Sequence, residues 1–450
     1  MNGHNSGMYD TDVLVIGGGP AGSTAATLLT QRGYRVALFE KDRHPRFHIG
    51  ESLLPANLPL LERLGVAEQV RAIGMRKWGA EFVSHWDGRR QDFRFAEAWN
   101  KSLPMAYQVR RSVFDEILIR RAAQVGAEVI EGARVREVEI AGDTLPDGAP
   151  SEMPVRAQVQ YEDGRVQSWQ ARFLVDASGR DTFLANRLQV KRRDPKHNSA
   201  AIFGHFSGAQ RYAGEREGHI SIYWFDHGWF WFIPLSDGAT SVGAVVWPYY
   251  LKSRRVPVRD FLLATIALCP PLAQRLSGAQ LINEVQATGN YSYHCTRSHG
   301  AHYLLLGDAY AFIDPMFSSG VMLAMHSAFA GAETVDRCLR EPARAPAALR
   351  AFDAIMRRGP REYSWFIYRV TSPTMREMFL GPRNIWRVKE ALLSLLAGDI
   401  FGATPIWASL RAFKILYRLI SLRHPGRSAH AWRRRRVNIQ PADPGPLTAS

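Results

Sequence analysis

Residues 11–16 (TDVLVI) are a short apolar run of strand-forming residues that stops abruptly at GGGPAGS. The stretch STAATLLTQRG behind it has helical spacing, with Gly33 as its stop, and RVALFEK then reads as a second buried strand. Strand, glycine turn, helix and strand within about 30 residues make a βαβ unit. Residues 110–130 repeat the helix-then-strand theme, and residues 172–180 (RFLVDASGR) give a further strand entering a small-residue loop. Between 198 and 250 the pattern changes. SAAIFGHF, HISIYWF, WFWFIPL and TSVGAVVW are strand-like runs separated by Gly, Asp and Ser, as in an antiparallel sheet. YLLLGDA at 303–309 returns to the buried parallel style, an apolar helix runs from about Gly320 to Arg340, and 345–422 is mostly helical.

These patterns predict an α/β Rossmann-like nucleotide fold with an inserted antiparallel sheet and a helical C-terminal region. The expected division is a discontinuous nucleotide domain over 8–185 and 285–345, a substrate region over 186–284, and a helical region over 346–424. A basic, flexible tail is expected over 425–450.

Composition narrows the class. Of 450 residues, 46% are apolar and 22% charged, which are globular values and exclude a mainly disordered, collagen-like or coiled-coil chain. Three cysteines (Cys269, Cys295, Cys338) and no CxxC pair exclude a disulfide scaffold or a cysteine-rich metal site. No secretory signal and no run of 18 apolar residues is visible, so a soluble cytoplasmic enzyme without an integral membrane segment is expected. The net charge of +15 points to an acidic partner surface, a nucleic acid or a membrane face.

Gly17, Gly19 and Gly22 form GxGxxG directly between a strand and a helix. Gly17 permits the tight turn, Gly19 lets a pyrophosphate approach the backbone, and Gly22 lets helix and sheet pack closely, with Ala21 beside it. The helix N-terminus then offers free N–H groups to the diphosphate. Glu40 ends the second strand about 20 residues on, where a carboxylate can accept ribose hydroxyls. NAD and FAD share this fingerprint, so it leaves the choice open.

Two further segments bear on that choice. Arg111 stands just ahead of a helix in RRSVFDEIL, and Gly307-Asp308 ends a late strand. Both are similar to segments of the flavoprotein monooxygenase superfamily, a resemblance that implies FAD, with Asp308 on the ribityl chain. Residues 229–234 read WFWFIP, matching WxWxIP; 312–320 read FIDPMFSSG, matching FxxPxxSxG; 47–55 read FHIGESLLP. Over most of residues 10–340 the chain resembles the flavin-dependent halogenases. That resemblance implies reduced FAD from a separate flavin reductase, chloride or bromide as halide, and hypohalous acid as the travelling oxidant. It places Ser52 and Gly320 at the cofactor and a halide at Ser319 and Gly320. Trp229, Trp231, Pro234, Phe312, Pro315 and Phe317 then belong to the wall and passage between cofactor and substrate. Independently of the resemblance, Trp229 and Trp231 share one face of a strand, where two indoles can restrict a passage.

The resemblance further implies an essential catalytic lysine after the GES segment, between flavin chamber and substrate site, and Lys77, in GMRKWGAEF, is the candidate for it. An ammonium can hold hypohalous acid by hydrogen bonds, or as an amine accept its halogen, and so aim the electrophile at an electron-rich ring. Halogenases of free tryptophan have glutamate at the position matching Phe317. That departure favours a phenol, a pyrrole or a carrier-tethered aryl group, and leaves Glu51 as a weak alternative acid. From Arg411 to Arg436 there are nine basic residues and no acid. This run is expected to dock an acidic acyl or peptidyl carrier protein, with polyanion or lipid attraction as alternatives. No nucleic-acid module surrounds it, so no nucleic-acid partner is expected. The rival readings are an aromatic hydroxylase, an isoprenoid double-bond reductase and a non-catalytic flavin-binding partner of a carrier-protein assembly.

Overall fold

The computed structural model describes residues 8–142, 152–289, 292–382 and 384–440. Strand Tyr9–Ile16 lies between Val36–Glu40 and Val166–Asp176, parallel to both. Glu128–Glu131 extends the sheet beyond Val36–Glu40, and Tyr303–Leu305 lies parallel to the end of Val166–Asp176. Ile16, Phe39, Asp176 and Leu305 are in register, so the loops carrying the glycine turn, Glu40, Ser178 and Asp308 all leave from one edge. Ligands of open α/β sheets bind at such a carboxyl edge. Helices Pro20–Gln31, Arg111–Gln124 and Gly320–Arg340 cover the sheet through a continuous apolar core.

A second sheet runs in the spatial order Gln280–Leu281, Ala200–Ser207, Thr240–Val246, Gly228–Pro234, Ile220–Phe225, Gly79–Ser84, Arg90–Arg94. Its four central strands are the antiparallel runs expected from the sequence. Gly79–Ser84 adds to it in parallel, so a piece of the N-terminal half completes the insertion. One apolar cluster joins this sheet to the helices Ala345–Ile367, Pro373–Leu380, Val388–Leu396 and Trp407–Arg423.

The segment expected to trail as a loose tail is helical from Pro425 to Asn438. Residues 441–450 lie outside the described residues. Among the described residues, no helix is long and apolar enough to cross a membrane, and no cluster of His, Cys, Asp and Glu could hold a metal ion.

Candidate active site

A cleft of about 910 Å³ follows the carboxyl edge of the parallel sheet and ends against the second sheet. Gly17, Gly19, Ala21 and Glu40 line one end; Ser52, Arg111 and Asp308 line the middle; Trp229, Trp231, Phe312, Pro315 and Gly320 line the other. The structure thus gathers twelve residues singled out along 300 positions. Gly22 stands behind the turn. A Cβ there would lie 1.8 Å from the Gly17 carbonyl oxygen, and Gly17 itself has φ +97°. Only glycines permit that approach.

The polar lining suits a dinucleotide with a flavin. Glu40 accepts the Gly18 N–H at 2.8 Å and the Asp42 N–H at 3.0 Å, which fixes its carboxylate at the strand end. Asp308 makes no side-chain hydrogen bond to another described residue. Burial pushes its carboxyl up to about 6, although Arg180 and Arg111 draw it down. An acid left without a partner at the cleft wall suits the hydroxyls of a ribityl chain. Arg111 opens its helix. It grips Asp115 with Nε at 2.8 Å and Nη2 at 3.0 Å, and donates through Nη1 to the Ile49 carbonyl oxygen at 3.1 Å. Burial alone would raise the Asp115 carboxyl, but Arg111 beside it holds it below the ordinary range. The sequence reading missed Asp115, though its position one helical turn after Arg111 was a usable signal.

Trp229 and Trp231 do share a face. Their rings are 6.1 Å apart, and Trp231 Nε1 donates to Ser241 Oγ at 3.1 Å. Ser319 caps the helix that Gly320 begins, so their amides lie in its unpaired first turn. Ser319, Pro234 and Phe317 are buried off the cleft wall. Phe317 packs among Tyr363, Phe366 and Phe379, which leaves the position of the missing acid inside an aromatic core.

Lys77 lies behind Ser52. The strand Ala106–Gln108 pairs with Met75–Lys77 on one side and meets Ser52 through a bridge at Gln108 on the other. This pairing brings Lys77 Nζ to 2.8 Å from Ser52 Oγ and 3.0 Å from the Leu53 carbonyl oxygen, to both of which it donates. The side chain is 1% exposed, and no acid of the described residues pairs with it. Burial brings its ammonium down to about 7. A buried cation without a counter-ion is unfavourable for folding, so its presence one hydrogen bond behind the cleft wall demands another reason.

Fold and cleft together are those of an FAD-binding flavoprotein, with the cleft along the carboxyl edge of its parallel sheet. The FAD binding domain family model matches residues 10–354. The chain is 37% identical over 352 residues to the flavin-dependent halogenase armH3 of Armillaria mellea, covering 73% of this chain and 68% of that protein. It is 29% identical to the 1H-pyrrole-2-carbonyl-[peptidyl-carrier protein] chlorinase of Pseudomonas fluorescens, covering 88% of this chain and 90% of that protein. The myxobacterial chondrochloren halogenase CndH superposes with a TM-score of 0.75 at 32% identity, covering 89% of this chain and 93% of that one. The chain belongs to the flavin-dependent halogenases.

Proposed function

We propose that the protein halogenates an electron-rich aromatic (a phenol, a pyrrole or a carrier-tethered aryl group) with an oxidant relayed by Lys77. When bound, reduced FAD, delivered by a separate reductase, supplies the two electrons with which dioxygen oxidises chloride or bromide to hypohalous acid. Gly17, Gly19, Ala21, Glu40, Ser52, Arg111, Asp308 and Gly320 would hold the cofactor. The first-turn amides of Ser319 and Gly320 offer the partial positive charge that a halide needs. Trp229 and Trp231 bar the arene from the cofactor, so only a small oxidant passes.

The observation that carries this reading is the buried, unpaired Lys77 ammonium. Two of its three N–H groups are fixed by Ser52 and Leu53, and the third is left to hold hypohalous acid. With its ionisation brought near neutrality, ammonium and free amine are both populated, so hydrogen bonding and N-halogenation are both open to it. The test supplies chemically reduced FAD, oxygen and bromide with a simple phenol. The expected product has bromine in place of a ring hydrogen. Steady NAD(P)H consumption by the purified protein, with a hydroxylated product, would favour the hydroxylase instead.

For a carrier-borne substrate, the C-terminal helices offer the docking face. Of the Arg433–Arg436 run, Arg435 turns inward: it donates to the Tyr368 and Lys196 carbonyl oxygens and meets His197 Nδ1 at 3.1 Å. Arg433, Arg434 and Arg436 stay exposed, and Ile415, Leu419 and Leu422 form an exposed apolar stripe on the preceding helix. Arginines beside an apolar stripe suit the acidic amphipathic surface of a carrier protein. The chlorinase relative, by its name, acts on a carrier-bound pyrrole. Reversing Arg433, Arg434 and Arg436 to Glu should weaken carrier binding at low salt by ~10-fold or more, with halogenation of a free phenol unchanged. Unaltered carrier affinity in a binding titration would remove this face from consideration.

A further inference from the structure

Oxidation of one halide consumes one proton, because X⁻, O2, FADH2 and H⁺ together give HOX, H2O and FAD. A group at the cleft wall can hold that proton close to where it is used. Lys77 is committed to the oxidant, and Asp308 stands among the loops that hold the cofactor chain. Glu51 is different. It lines the same cleft beside Ser52 and is 2% exposed. Its Oε1 lies 2.8 Å from His205 Nε2, while its Oε2 is buried without any hydrogen-bond partner among the described residues.

The histidine behind it is set in one tautomer. The His205 backbone N–H donates to Asn283 Oδ1 at 2.7 Å, which orients the amide so that Asn283 Nδ2 donates to His205 Nδ1 at 3.0 Å. Nδ1 is therefore the acceptor, and Nε2 carries the hydrogen directed at Glu51. The glutamate backbone is tied as well, since its carbonyl oxygen accepts the Val109 N–H at 2.8 Å. One carboxyl oxygen is thus anchored and the other is left free. A buried, unsatisfied carboxyl oxygen is costly in a packed protein and calls for a partner the chain itself does not supply.

We infer that Glu51 is the proton-holding group of the cleft and that His205, clamped by Asn283, positions it. In each cycle the O–H bond at Glu51 Oε2 breaks, and its proton ends in the water formed with hypohalous acid. The carboxylate left behind keeps the His205 hydrogen bond at Oε1 and takes a new proton from solvent after product leaves. This assignment rests on the halogenase reading above.

The decisive variant is Glu51→Gln, which keeps shape and removes the exchangeable proton. It should lower halogenated product per flavin oxidised at least ~50-fold, with hydrogen peroxide released instead and the FAD dissociation constant within about threefold of wild type. The infrared spectrum of the wild-type protein should also show the carbonyl stretch of a buried protonated carboxyl, and Glu51→Gln should lose that band. Asn283→Ala, at a partly exposed position, should lower the product yield several-fold while the cofactor stays bound. A product yield within twofold of wild type in Glu51→Gln, an unchanged infrared carboxyl band, or a loss explained by weakened FAD binding would each overturn the inference. If wild-type protein halogenates no arene, the proposed function fails first, while the infrared band still reports whether Glu51 holds a proton.

Discussion

Replacing Lys77 with methionine should abolish halogenation and, at the same time, make the folded protein more resistant to heat. Methionine has similar length and suits an apolar site, so the substitution removes the charge and little volume. Keeping the ammonium buried at pH 7 costs about 4 kcal/mol, the equivalent of the drop from 10.5 to about 7. Loss of the bonds to Ser52 and Leu53 takes back about 1 kcal/mol each, leaving a net gain of about 2 kcal/mol. With an unfolding entropy of about 2 cal/mol/K per residue, that is roughly a 2 °C rise in Tm. The sign follows from linkage. An ammonium whose ionisation is lowered by folding destabilises fully below about pH 7, and the penalty fades as pH climbs toward the ordinary lysine value. The variant's advantage should therefore be largest at and below neutrality and be gone by about pH 9, where the fading penalty no longer exceeds the two lost bonds. Product formation should fall ~10³-fold or more, since the oxidant is no longer held against the arene, while flavin oxidation continues. Thermal scans across pH, paired with product mass analysis, check both halves. A variant that loses stability at pH 7, or that still halogenates, would return Lys77 to the ranks of structural lysines. Lys77→Arg adds a further distinction, because a guanidinium keeps its donors but never becomes a free amine.

What could be read from the chain alone was what is written locally. The glycine turn, the terminal Glu40, the paired tryptophans of one strand and the Gly307-Asp308 step each lie within one element and its adjoining turn, and their spacing reports their geometry. Lys77 was singled out through the family resemblance, and its buried setting has a local trace too. In Met75–Lys77 the alternation places Arg76 outward and Lys77 inward, so an exposed neighbour of like charge argues for burial rather than against it. Contacts across long sequence separations left no such trace. Glu51 and His205 are 154 positions apart, and only the tertiary fold brings them together, while the pairing of the 200–207 strand with Gln280–Leu281 sets the histidine beside Asn283. Arg435 was masked by three basic neighbours. One helical turn carries all four in different directions, and only the one that faces Tyr368 and His197 goes inward. The expectation of a flexible tail failed to anticipate this helix because a run of arginines has the same composition in a solvated tail and on a packed helix.

Asp115→Asn should be the most damaging change on the cofactor side. The Asp115 side chain is fully buried, and Arg111 binds both of its oxygens. Neutralising the acid removes the counter-charge of a buried guanidinium, and breaking such a pair from one side costs about 3 kcal/mol. Arg111 also holds the Ile49 and Gly50 carbonyl oxygens, so the damage passes into the FHIGES segment that forms the middle of the cleft. If that strain falls on the cofactor site, FAD affinity should drop about 100-fold, because each 1.4 kcal/mol is tenfold. The acid side of the stability profile should change as well. Asp115 ionises below the ordinary range when folded, so its contribution is present above pH 3.8 and lost as pH falls through its lowered value; the variant has no such loss. The paired replacement Arg111→Met with Asp115→Leu separates scaffold from ligand. Removing both charges together should leave the fold near wild-type stability, as apolar substitutes for buried ion pairs do elsewhere. Its FAD affinity should nevertheless stay low, because the cation at the middle of the cleft is gone. Recovery of FAD binding in the double variant, measured by flavin fluorescence, would mean that the pair serves packing alone and that Arg111 is no cofactor ligand.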